Sequence, residues 1–578
     1  MTAFGVWAPS ARRVVVEVDG RQAPMEPTGG GWQGAEVSWA AANGDYWFVV
    51  DGDRLPDPRS QWQPHGVPGP SRLVDHGAFA WTDGAWRGLS LPSAVLYELH
   101  VGTFTPEGTF DAVIAKLDHL VGLGIDAVEL MPVCEFPGSR GWGYDGVALY
   151  APHHAYGGPD GLKRLVDACH SRGLGVVMDV VYNHLGPGGD YMQRYGPYLD
   201  PGRSTPWGPA VNLDGAGSDE VRAFFVDNAV MWFEDYHCDG IRVDAVHSMF
   251  DTSPVHLVEQ LSVRAEEVSA HLGRHTVVIA ESDLNDPRVV RRREVGGYGA
   301  DAQWSDDFHH ALHAVLTDEG AGCYADFGTM GHLAAAIERA FVYAGEYSTR
   351  RRRSHGRHDP TLSGSRFLAY LQNHDQVGNR AGGERSAALM STARLKVGAA
   401  LVLTSPFLPL LFQGEEWGAA TPFLYFADHR DPEVVSAVRE GRLRDLASLG
   451  WLPGDVADPQ DPTTFERSKL DWSELADGNR VSRHRELLDW YRRLIRLRRQ
   501  LPALSDGRLD RVRTSYDERN RWLVVERGPV TTACNLGSGR ARLAARGRLV
   551  LGSVPALASD GDHIELPPDA VAVLRADP

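Results

Sequence analysis

Eight apolar runs alternate with amphipathic stretches between Val95 and Pro502, and this alternation constrains the fold more than any other feature of the chain. The runs are VLYELHVGTF, IDAVELMPV, GVVMDVVYNH, GIRVDAV, HTVVIAES, ADAQWSDD, RFLAYLQNHD and LPLLFQGEE. Strands that are apolar along their whole length belong to a parallel sheet covered on both faces. Between them, DAVIAKLDHLVGLG, GPDGLKRLVDACHSRG and SDEVRAFFVDNAVMWFEDYH have the apolar spacing of helices, and RHRELLDWYRRLIRLRRQ closes the series. Eight such units in about 400 residues predict an α/β fold, a (β/α)8 TIM barrel with insertions over residues 91–502. Residues 1–90 carry short alternating runs (VVVEV, YWFVV) between Gly, Pro and Asp and predict an N-terminal β-sandwich. Residues 503–578 return to short β runs (WLVVE, TTACNL, RLVLG, AVAVLR) and predict a C-terminal β domain, while Leu91-Pro92-Ser93 reads as a hinge.

Composition narrows the partners. A formal net charge of −18 argues against nucleic acid and anionic membrane and suits a neutral or cationic ligand. Cys134, Cys169, Cys238, Cys323 and Cys534 are odd in number and form no C-x-x-C pair, which fits reduced thiols in a cytoplasmic protein and neither a disulfide framework nor a zinc site. The opening MTAFGVWAPSARR lacks the basic-then-apolar order of a secretion signal, and Leu401–Phe412 is interrupted by Pro406 and Pro409, so no membrane span is expected. Neither a cofactor nor a metal is expected. The basic run Arg350–Arg353, with His355, Arg357 and His358, reads as a solvated loop close enough to the seventh strand to reach the barrel mouth.

In a barrel of this type the chemistry sits at the carboxyl ends of the strands. There the third run ends Asp179…Asn183-His184, the fourth carries Arg242 and Asp244, the fifth ends Glu281-Ser282-Asp283, and the seventh ends Asn373-His374-Asp375. Arg242 and Asp244, two apart on a strand, point the same way, so a guanidinium can sit beside a carboxylate and hold it ionised. Three carboxylates on strands four, five and seven would repel one another if they were only structural.

DVVYNH, GIRVDAVH, IAES and LQNHDQ, in this order, resemble the four signature regions of the α-amylase superfamily of glycoside hydrolases, and FGVWAPSARRVVV resembles the β domain that precedes the barrel in glycogen-branching and debranching enzymes. The resemblance implies Asp244 as nucleophile, Glu281 as general acid/base and Asp375 as the third carboxylate. It implies His184 and His374 as hydrogen-bonding partners of the sugar at the cleavage point, and Tyr144 of GWGYD as its stacking platform. A retaining glycosidase needs one carboxylate and one carboxylic acid, which predicts a lowered pKa for Asp244 beside Arg242 and a raised one for Glu281. Where many α-amylases continue with Lys-His after the nucleophile, this chain has His247-Ser248, and Asn183 alone does not make the calcium site of that superfamily. MPVCEFPGSRGWGYDGV, AESDLNDPRVV, QWSDDFHHALHAVLT and FQGEEWGAATPFLYFADH narrow the resemblance to the superfamily's trehalose-releasing hydrolases. That implies hydrolysis of the α-1,4 bond next to a terminal α,α-1,1-linked disaccharide, with maltooligosyltrehalose and maltooligosaccharides as partners. His247, Asp306 and Asp307, with Phe308, are the candidates for the leaving-group side, together with the insertion from Asp428 to Trp472. The alternatives are a branching enzyme, an isoamylase-type debranching enzyme and, from another class, a non-catalytic binding relative.

Overall fold

The computed structural model describes residues 1–448, 456–476 and 482–576, so part of the Asp428–Trp472 insertion lies outside the described residues. Its centre is a closed parallel barrel of eight strands: Leu96–Leu99, Ala127–Leu130, Gly175–Val180, Gly240–Val243, Val277–Ala280, Ala302–Trp304, Phe367–Ala369 and Leu408–Phe412. Each strand pairs with the next in sequence, and the eighth closes on the first through Leu410 opposite Leu96. These are the eight runs expected from the sequence.

Alternation along the strands divides the barrel interior into two levels. The lower level is apolar: Leu96, Ala127, Val177, Ile279, Ala302, Leu368 and Leu408 form one buried cluster, plugged from below by Leu89 and Leu91. One inward step toward the carboxyl end, the same faces present Glu98, Glu129, Asp179, Arg242, Trp304 and Tyr370, all buried. A polar layer on an apolar floor therefore follows directly from the period-two pattern.

The helices cover the outside. Ser218–Glu234 buries Phe224, Phe225, Trp232 and Phe233. Arg483–Gln500, capped by the Ser482 side chain on the Arg485 amide, buries Leu487, Trp490, Tyr491 and Leu494. The stretch expected as one helix after the first strand is two, Phe110–Ile114 and Leu117–Leu123. Between them Ala115 and Lys116 form a turn that stays in the right-handed region of the backbone, and Lys116 lays its ammonium over the Trp472 ring, 4.4 Å from the centroid. Gly124 ends the second piece in the left-handed region (φ 100°), where a Cβ would lie 2.8 Å from Ile495.

Toward the N-terminus, Thr2–Trp7, Trp32–Val37 and Glu26–Gly29 make one antiparallel sheet, and Val14–Val18 and Asp45–Val50 are central to a second. Phe4, Val16, Phe48 and Val50 on these sheets are buried. Toward the C-terminus, Val512–Asp517, Trp522–Arg527, Val530–Asn535, Ala570–Arg575 and Arg548–Gly552 form a five-stranded sheet in that order. No described helix is long and apolar enough to cross a membrane.

Candidate active site

Arg242 is the hub of the polar layer. Fully buried on the fourth strand, it donates from Nη1 to both Asp179 oxygens (2.8 Å) and to Asp244 Oδ1 (2.9 Å), and from Nη2 to Glu281 Oε2 (2.8 Å). Its plane rests on Trp304, 4.3 Å from the ring. A guanidinium without solvent is tolerated only when its charge is compensated, and here three carboxyl groups take its two terminal nitrogens, while Nε has no hydrogen-bond partner among the described residues. The strand stops at Val243, and Ala245 turns the chain through a left-handed conformation (φ 41°) that few non-glycine residues adopt. That turn aims the Ala245 amide at Glu281 Oε2 (2.8 Å). With Oε2 accepting from Arg242 and Ala245, a proton on Glu281 belongs on Oε1. Asn183 completes the frame by donating to Asp244 Oδ2 (2.6 Å) and to the Asp244 carbonyl (3.0 Å).

The electrostatics differ from expectation at one residue. Burial pushes the Asp244 carboxyl up, and Arg242 and Asn183 pull it back without restoring the ordinary value. The sequence reading had Arg242 lowering it. The guanidinium's single charge is divided among Asp179, Asp244 and Glu281, so none receives the full benefit. Burial also raises Glu281, as expected, and Asp244 adds to that rise.

The seventh strand brings His374 and Asp375 to the same mouth. His374 Nδ1 meets Glu98 Oε1 at 2.5 Å, its backbone amide donates to Glu98 Oε2 (3.0 Å), and Nε2 lies 2.8 Å from the Tyr144 hydroxyl. Tyr144 donates its proton to Asp179 Oδ2 (2.6 Å), and its ring stacks on His374 at 5.2 Å. Asp375 opens a short helix capped by Asn373; its side chain is 36% exposed, with Oδ1 3.5 Å from His374 Nε2. His184 is held neutral, its pKa lowered to about 4 by burial, and stacks against the half-exposed Trp207 at 5.2 Å. The structure thus gathers Tyr144, His184, Arg242, Asp244, Glu281, His374 and Asp375 at one mouth. Asp179 and Asn183, which the sequence puts at the end of the third strand without assigning them a role, also shape it, as do Glu98 and Trp207, which the sequence does not single out. Glu98 carried a signal, an acid inside an otherwise apolar strand; Trp207, in the hairpin formed by Leu199–Thr205 and Gly208–Val211, carried none.

The leaving-group candidates separate. His247 Nε2 lies 3.9 Å from Asp283 Oδ1, beside Glu281. Asp306 accepts from the Tyr370 hydroxyl (2.5 Å), and burial with Glu281 nearby raises its carboxyl to about 7. Asp307 instead binds other parts of the chain: its Oδ2 accepts from Asn285 Nδ2 (2.8 Å) and from the Val342 (2.7 Å) and Tyr343 (3.0 Å) amides. Phe308 is fully buried against Phe407, away from the mouth. The basic loop is not simply solvated, since Arg351 reaches Asp283 Oδ2 (3.0 Å) and the His355 ring reaches the Asp283 carbonyl (2.9 Å).

Among the described residues, one other group has metal-ligand composition. Glu135, His153 and His154 bring donor atoms within 4.8 Å of one another. Hydrogen bonds account for the arrangement: Glu135 accepts from the His154 amide (2.9 Å) and ring (2.7 Å), and His153 Nδ1 accepts the Ala155 amide (3.1 Å). That last bond leaves the neutral ring's proton on Nε2, the nitrogen a metal would need.

A closed eight-stranded barrel with paired carboxyl groups just past its fourth and fifth strands fits an α-amylase-type glycoside hydrolase, and the comparisons with known proteins show that class. The family model for the alpha amylase catalytic domain matches residues 44–200. The chain is 48% identical over 583 aligned residues to the malto-oligosyltrehalose trehalohydrolase of Mycobacterium tuberculosis, covering 100% of this chain and 99% of that one. The enzyme of the same description from Saccharolobus solfataricus is 43% identical, covering 90% and 89%. A crystal structure from Salmonella typhimurium, described as a candidate alpha amylase, superposes with a TM-score of 0.91 at 37% identity, covering 100% and 97%. The chain belongs to the malto-oligosyltrehalose trehalohydrolase family.

Proposed function

We propose that this chain is a retaining glycoside hydrolase that cleaves the α-1,4-glucosidic bond next to the terminal α,α-1,1-linked unit of maltooligosyltrehalose, releasing trehalose and a shortened maltooligosaccharide. Its full-length likeness to trehalohydrolases supports the substrate. The observation that carries the chemistry is the Arg242 fork, which bonds Asp244 and Glu281 at 2.9 and 2.8 Å. Two carboxyl groups held against one planar cation favour the close spacing, about 5–5.5 Å, of a retaining pair over the wider gap that admits a water between them.

In this reading Asp244 attacks the anomeric carbon while Glu281 delivers its proton from Oε1 to the departing glycosidic oxygen, and trehalose leaves. Glu281, now ionised, takes a proton from water as that water displaces Asp244 from the sugar. Arg242 carries the charge that moves between the two carboxyl groups, so neither step strands an unpaired anion in the barrel. Asp375 grips hydroxyls of the same sugar and favours its flattened, oxocarbenium-like form. Tyr144, His184 and His374 line that sugar, while His247 and Asp306 face the leaving disaccharide. Five unpaired cysteines support a cytoplasmic setting. The test is product analysis on maltopentaosyltrehalose, maltoheptaose and amylopectin. Trehalose released rapidly from the first alone is expected; branching or debranching of amylopectin without trehalose release overturns the reading.

A further inference from the structure

The first and second barrel strands hold one buried acid each, and neither belongs to the set expected from the sequence. Glu98 and Glu129 are direct register partners, both 1% exposed and both on the inward face. Side chains in register on adjacent strands lie about 5 Å apart, and two carboxyl groups at that spacing, away from water, do not both ionise. Glu98 is already engaged, since both its oxygens face His374. The other ring nitrogen of His374 faces the Tyr144 oxygen, whose only proton goes to Asp179. With Glu98 ionised, both ring nitrogens point at lone pairs, and the ring then carries a proton on each. Glu129, by contrast, has no hydrogen-bond partner for either oxygen among the described residues.

We propose that Glu98 is a positioning residue that fixes His374 as a cation against the sugar at the cleavage point, and that Glu129 beside it stays a neutral acid so that Glu98 can remain charged. This rests on the reading of the mouth as the sugar site. The ionisable groups around His374 are Glu98 and His100 from the first strand and its end, Glu129 from the second, Tyr144, Asp179, Arg242 and its own neighbour Asp375. Burial and Arg242 oppose the charge; Asp375 and Glu98 outweigh them and hold the ring at about 9. Burial, then Glu98, pushes the Glu129 carboxyl well above the ordinary range. The cation at His374 offsets Asp375, which otherwise would face Asp244 and Glu281 as one more uncompensated anion.

The test titrates His374 by carbon NMR in substrate-free, histidine-labelled protein, with its signal assigned by loss in His374→Asn. In the intact chain the midpoint is expected well above the ordinary 6.5. Glu98→Gln should lower it by roughly 1–3 pH units, the usual effect of losing an opposite charge at contact distance. The alkaline limb of kcat should move down with it, and kcat should fall more than KM rises. Glu129→Gln, neutral and of the same shape, should leave the His374 midpoint in place. A wild-type midpoint at or below 6.5 overturns the proposal, and that measurement needs no variant to fold. An unmoved midpoint in Glu98→Gln also overturns it, and an equal shift in Glu129→Gln overturns the neutral-acid half. Because the titration is read without substrate, a failure to release trehalose would sink the assigned reaction and leave this result standing.

Discussion

Arg242 shows how much a single side chain organises here. Lysine in its place keeps the charge but offers one point donor where a fork serves Asp179, Asp244 and Glu281. Arg242→Lys should therefore lower kcat by roughly a hundredfold or more, comparable to losing a preorganised donor, with the barrel intact by circular dichroism. Normal turnover in that variant would show that the two carboxyl groups need no shared partner. Asp244→Asn and Glu281→Gln should each cost roughly a thousandfold or more, as expected for groups that form or break the covalent intermediate. Proton NMR of the first product should show the α anomer at the new reducing end; a β anomer appearing first would exclude a retaining mechanism. The Arg242–Asp244 contact was legible in the sequence because a two-residue spacing on a strand fixes its direction. The raised Asp244 carboxyl was not, because it depends on burial in the assembled barrel and on Asp179 and Asp375, which distant segments bring beside it.

At the scale of elements, Asp307 is the instructive case. It stands in the first turn of the helix Asp306–Thr317 and holds the segment just beyond the next helix, Met330–Arg339, through two backbone amides. Asp307→Ala leaves the buried Val342 amide unpaired, at about 1–3 kcal/mol, and the part-buried Tyr343 amide with it. It should lower the melting temperature and reduce cleavage of maltooligosyltrehalose and of plain maltooligosaccharide by the same factor. A selective loss on the trehalose-bearing substrate would return Asp307 to the leaving-group side. The sequence put Asp306 and Asp307 at the end of the sixth apolar run; the strand stops at Trp304, and the two acids open a helix instead, as consecutive residues with different fates. A helix turns about 100° per residue, so one carboxylate meets Tyr370 at the mouth and the other meets Val342. The eight strands were readable because continuous burial writes continuous apolar runs. The break at Lys116 was not, since Trp472, the residue it reaches, is far away in sequence.

The molecule as a whole is also tied at the end opposite the mouth. There His170 lies between Asp83 (2.8 Å) and Asp239 (3.0 Å), with Trp86 stacked on its ring and donating to Asp239. Asp83 and Trp86 belong to the segment leading from the N-terminal sheets into the barrel. Burial works against a charge on His170, but Asp239 and Asp83 prevail and raise its pKa above the ordinary 6.5. A raised folded-state value contributes stability fully present below the unfolded pKa and lost as pH rises through the folded one. Melting temperature should therefore fall on raising the pH above about 6.5, and more steeply in the wild type than in His170→Gln; parallel curves would exclude this residue as the source. The closure of the barrel has a consequence for how the chain comes into being. Leu96 and Leu410, which meet where the first and last strands pair, are roughly 300 residues apart. At a synthesis rate of about 5–20 residues per second, roughly 15–60 seconds separate their arrival. For that time the first strand waits on the ribosome with one edge unpaired, so the nascent chain needs protection from its neighbours well before it can bind any sugar.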